Sequence, residues 1–77
     1  MPRYYFNIKD KAQTVRDEEG IDLQDLDAVR EEVTVAARQI MSDKLLFGQM
    51  ANDETFVVTD EQGRTVLTFP FRDAIHD

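Results

Sequence analysis

The segment Glu54-Thr55-Phe56-Val57-Val58-Thr59-Asp60-Glu61-Gln62-Gly63-Arg64-Thr65-Val66-Leu67-Thr68-Phe69 reads as a complete β-hairpin, and the rest of the chain has to fit against it. Two runs rich in β-branched and aromatic residues flank a polar stretch closed by glycine. Gly63 suits the left-handed position of a short loop with a G1 bulge. If Asp60 pairs with Arg64, counting back along both runs sets Val58 opposite Val66 and Val57 opposite Leu67. Pro70 carries no N–H for a ladder, so regular pairing is expected to end there.

Upstream of the hairpin, Leu26, Val29, Val33, Ala36, Ala37, Ile40 and Met41 recur at spacings of three and four, which places them on one stripe of a helix. Asp25 has the form of an N-cap, with Asp27 favoured by the dipole in the first turn. Gly48 is a natural C′ residue, so the helix is expected to end near Phe47, after about six turns or roughly 33 Å. The polar Ala51-Asn52-Asp53 connects it to the hairpin.

At the N-terminus, Tyr4, Phe6 and Ile8 alternate with Arg3, Tyr5 and Asn7, the period of a strand over residues 3 to 8. A turn at Lys9-Asp10-Lys11-Ala12 lets Thr14-Val15-Arg16 return beside it. Asp17-Glu18-Glu19-Gly20 ends that partner at a glycine suited to positive φ. The layout is ββαββ in an α+β class, with residues 1–77 as a single domain. Two hairpins join into a four-stranded antiparallel sheet, and one long amphipathic helix packs on one face. Tyr4, Phe6, Ile8, Val57, Leu67 and Phe69 are expected under the helix. Strict alternation then turns Tyr5, Phe56, Val58 and Val66 toward the open face, where such a group marks an interface.

Composition narrows the function classes. With 77 residues and no cysteine, the chain has neither length for a second core nor disulfides to support the first. Oligomerisation is the remaining common support for small cores, and a homodimer is expected. Sixteen acidic against nine basic residues give a net charge of −7, which disfavours nucleic acid and anionic membranes. Eight of the acids fall between Asp17 and Glu32. Met1-Pro2-Arg3 runs directly into a strand pattern, and no apolar run reaches membrane-spanning length, so the expected location is cytoplasmic.

Catalytic chemistry finds little to work with. A nucleophile needs a base, and the single histidine, His76, stands next to the C-terminus. One histidine and no cysteine cannot build a zinc site, and Asp17-Glu18-Glu19 with Asp22 matches no EF-hand spacing. Gly20, Gly48 and Gly63 are isolated, so no phosphate loop exists. Arg72-Asp73 reads as a surface ion pair near the sheet edge. No enzyme activity, catalytic residue, metal or cofactor is expected.

Four stretches share a pattern: the opening Met1-Pro2-Arg3-Tyr4-Tyr5-Phe6-Asn7, the turn Asp17-Glu18-Glu19-Gly20, the helix start Asp25-Leu26-Asp27-Ala28, and the closing Val66-Leu67-Thr68-Phe69-Pro70-Phe71-Arg72-Asp73-Ala74. Together they resemble a family of short bacterial proteins known only as a domain of unknown function. The likeness runs nearly the full length, although the helix here is less alanine-rich. It implies a stand-alone protein and brings no activity with it. The leading expectation is a non-enzymatic protein-interaction module that self-associates through the open sheet face or a sheet edge. The alternative is an acidic inhibitor, similar in layout to small antitoxins, that uses the Asp17 to Glu32 stretch to occupy a basic partner protein.

Overall fold

The computed structural model describes residues 1–46 and 53–75, with Leu45 described by its backbone alone. In chain order the elements are β1 (Arg3–Lys9), β2 (Thr14–Val15), β3 (Ile21–Asp22), α1 (Leu26–Leu46), β4 (Thr55–Thr59), β5 (Thr65–Pro70) and a 3-10 turn (Phe71–Ile75). The expected helix end at Phe47 and Gly48, the Ala51-Asn52 connection and His76 lie outside the described residues.

All strand pairs are antiparallel, in the order β2-β1-β4-β5, and β3 adds a fifth strand beside β1. The sheet is therefore larger than the four strands expected. Ile21 and Asp22 form the added strand, pairing with Tyr4 and Arg3. With β4 on its other side, β1 is an inner strand whose far edge is shared by two short partners. Asp10 closes the β1–β2 turn, its carboxylate accepting from the Ala12 and Gln13 N–H groups at 2.8 Å each.

The α1 start follows its signals. Asp25 accepts the Ala28 N–H on its side chain at 2.9 Å and the Val29 N–H on its carbonyl at 3.1 Å. Val29, Val33 and Ala37 form the fully buried line of the stripe, with Ala36, Ile40 and Met41 at its margins. Leu26 overhangs the sheet and is 44% exposed, while Leu23 packs on the core in its place.

The β4–β5 hairpin turns as expected. Gly63 has φ 82° and donates to the Asp60 carbonyl, and the Asp60 N–H donates to Arg64 O at 2.9 Å. One step along, however, the ladder shifts: Thr59 faces Thr65 but Val58 faces Leu67 and Val57 faces Thr68. Val66 is the extra residue of a bulge, and a slip of one residue reverses the faces inferred for the partner strand. Phe56 and Val58 consequently lie in the core, at 2% and 0% exposure, beneath the helix with Tyr4 and Phe6. Val57 moves to the open face. Val66 itself is partly buried against the core. Three of the four residues expected on the open face thus belong to the helix side.

The chain beyond Pro70 completes that core. Phe71 donates its N–H to Glu54 O at 2.9 Å and has no exposed surface, stacking on Phe56 with ring centroids 4.7 Å apart. Phe6 meets Phe56 edge-on at 5.8 Å. Arg38 reaches from α1 to the Ala74 carbonyl at 2.6 Å, and Lys44 forms an ion pair with Glu54. Arg72 and Asp73 stand exposed on the 3-10 turn, with the aromatic before them turned inward.

Phe71 plugs the gap between helix and sheet, so its loss leaves a cavity that neighbouring side chains cannot fill. Phe71→Ala is expected to lower unfolding free energy by about 3–5 kcal/mol, measured by chemical denaturation, with Phe71→Leu losing clearly less.

Candidate functional site

Among the described residues no element lies over the sheet face opposite α1. That face carries Tyr5 and Asn7 from β1, Thr55, Val57 and Thr59 from β4, and Thr68 from β5. Tyr5 and Val57 are its half-buried apolar members.

One side of the face is walled by the arch between β2 and β3. Asp17 sits at the gap where β1 has no strand partner, and its carboxylate accepts the Phe6 N–H at 3.0 Å in place of a ladder carbonyl. Its other oxygen accepts from Glu19 and Gly20 at 3.2 and 3.1 Å. The Asn7 side chain lies flat across the strands. It donates to Val57 O at 3.0 Å and Thr59 Oγ1 at 3.4 Å, and accepts the Asp17 N–H at 3.0 Å. Arg3 grips the far end of the arch through Asp22 at 2.8 Å and Glu19 O at 3.3 Å.

Gly20, at φ 74°, is pressed beneath these side chains. A Cβ there would stand 2.9 Å from both Arg3 Cγ and Tyr5 Cε1. Arg3, Tyr5 and Asn7, the three open-face residues of β1 before Lys9, are therefore all engaged with one arch. Partial burial pushes the Asp17 carboxyl up, but the N–H donors of Phe6, Gly20 and Glu19 outweigh it and hold the group below the usual carboxylate range. The hydrogen bond from Arg3 likewise lowers Asp22.

Between the arch and the β4–β5 turn lies an open groove of about 350 Å³, floored by Tyr5, Asn7 and Thr59 and rimmed by Arg16, Asp17, Glu18, Asp60 and Glu61. A second hollow continues along the face past Val57, Thr55 and Thr68 to Lys9, Asp10, Lys11 and Asp53. The face thus runs from an acidic end to one where charges balance. Among the described residues no group of three or more acidic or histidine side chains is arranged to hold a metal ion.

Of the sequence-predicted interface residues, only Tyr5 stands on this face; Phe56 and Val58 are core, and Val66 packs on the core margin. Asn7, Val57 and Thr59 replace them. Asn7 was signalled by its place inside an apolar strand, and Asp17 by the glycine three residues on, a pattern for side-chain capping of a turn. Of the acidic stretch, Asp17, Asp22 and Asp25 are taken up within the molecule, while Glu18, Glu19, Asp27, Glu31 and Glu32 remain exposed.

The fold and this face define a small α+β protein with one helix across an antiparallel sheet. The chain belongs to the family described as Domain of unknown function (DUF6894), whose model matches residues 3–72. No curated protein and no solved structure gives a significant match. No helix among the described residues is long and apolar enough to cross a membrane.

Three outcomes follow from the arch. Asp17→Ala strands the partly buried Phe6 N–H and is expected to cost about 1–3 kcal/mol in denaturant unfolding, and Gly20→Ala is expected to destabilise through both clash and φ. The Asp17 pKa is lowered on folding, so its contribution is present above the ordinary carboxylate pKa and is lost as pH falls through the folded value. Thermal unfolding followed from neutral pH to below about pH 4 is expected to show a shallower acid loss in Asp17→Asn than in the parent chain.

Proposed function

We propose that this chain is a non-enzymatic, cytoplasmic interaction module that self-associates through the open face of its sheet. The observation that carries the reading is Tyr5 and Val57, half-buried on adjacent strands of a face that no described element covers. Around them the threonines present hydroxyl groups and the Asn7 amide is tied within the sheet, so no charge stands among them. The molecule is a slab of 37 × 28 × 17 Å, so its broad side has room for the roughly 800 Å² per partner of a stable interface. A chain of 77 residues without disulfides also gains stability from a second copy.

The sheet edges are poorer candidates. β2 and β3 have two residues each, and the outer edge of β5 is bracketed by the Val66 bulge and by Pro70, which has no N–H to offer.

Light scattering after size exclusion tests the reading. The mass of two copies is expected at tens of micromolar, and Val57→Glu is expected to give the mass of one with an unchanged circular dichroism spectrum. A single-copy mass throughout that range would overturn it.

A further inference from the structure

The two ends of the open face differ in charge, and this constrains how a second copy can lie on it. At the Tyr5 and Thr59 end, Asp17, Glu18, Asp60 and Glu61 stand with Arg16, and Arg64 pairs with Asp60 at 3.0 Å. At the Thr55 end, Lys9 and Lys11 offset Asp10 and Asp53, and Lys11 is within 3.8 Å of Asp53. Each copy carries −7, so a pair that stacked acidic end on acidic end would bring the exposed Glu18 and Glu61 of both copies together at one end of the interface.

Resting on the self-association proposed above, we infer that the two copies pair antiparallel. Their two-fold axis lies across the strands at the Asn7–Val57 pair, and Lys9 of each copy faces Glu18 and Glu61 of the other. The register supports this centre. Tyr5 and Lys9 are equidistant from Asn7 on β1, as Thr59 and Thr55 are from Val57 on β4, and each set is paired across the two strands. A two-fold axis there exchanges one end for the other. Lys9, Glu18 and Glu61 are all exposed, and the internal contact of Glu61 is a long one, its Oε1 accepting the Arg3 N–H at 3.4 Å.

Lys9→Glu is expected to weaken the dimer about tenfold, because the symmetry counts each rim pair twice and replaces attraction with repulsion. Glu61→Lys alone is expected to weaken it less, since Glu18 remains. The double variant Lys9→Glu with Glu61→Lys is expected to recover most of the affinity, and added salt to flatten the differences. Sedimentation equilibrium across these variants reads the dimer constant directly. A parent dimer whose constant is unmoved by both single changes would overturn the antiparallel arrangement while leaving self-association standing. A parent chain that sediments as one copy would overturn both.

Discussion

Every strand in this molecule depends on β1 being satisfied along both of its edges. On one side β4 does this with five consecutive pairs from Tyr5 to Lys9. The other side is a patchwork: β2 covers Ile8 and Lys9, β3 covers Arg3 and Tyr4, and the Phe6 N–H between them is met by a carboxylate instead of a carbonyl. An inner strand with a bare N–H in its middle would lose a hydrogen bond at the point where Phe6 enters the core. Asp17 removes that cost, and the arch it anchors is in turn held by Arg3, Asn7 and Tyr5. The core on one face and the groove on the other are consequences of the same edge.

Much of the architecture was legible in the sequence because it rests on local chemistry. The N-cap at Asp25, the stripe Val29-Val33-Ala37, the Gly63 turn and the first strand each follow from periodicity or from a residue with a single conformational use. The faces of β4 were not legible, because they hang on one inserted residue. Nothing in Thr65-Val66-Leu67 announces that Val66 will be passed over by the ladder, and counting from a correctly placed turn then reverses Phe56, Val57 and Val58 together. The strand β3 was missed for a different reason. Two residues carry no period, and their pairing is dictated by β1 and by the Arg3–Asp22 contact.

The stretches that carry the family likeness acquire a physical meaning. The opening strand and the Asp17-Glu18-Glu19-Gly20 turn are the two halves of one lock, since Arg3, Tyr5 and Asn7 are the side chains that hold the turn. The helix start supplies a cap. The closing stretch delivers Phe71 to the core and the Ala74 carbonyl to Arg38. These segments specify the fold. What distinguishes one such protein from another in action is then to be sought on the face that these segments frame.

The bulge at Val66 and the proline that ends β5 also decide what kind of assembly the chain can enter. A sheet with a long bare margin adds strands without limit and grows into fibres. Here the margin is interrupted at both ends of a six-residue strand, so growth in the plane of the sheet is arrested. Stacking across the remaining broad side is a closed operation, because two such faces once joined leave no third. The geometry that interrupts the outer margin of β5 is the same one under which the proposed self-association closes at two copies.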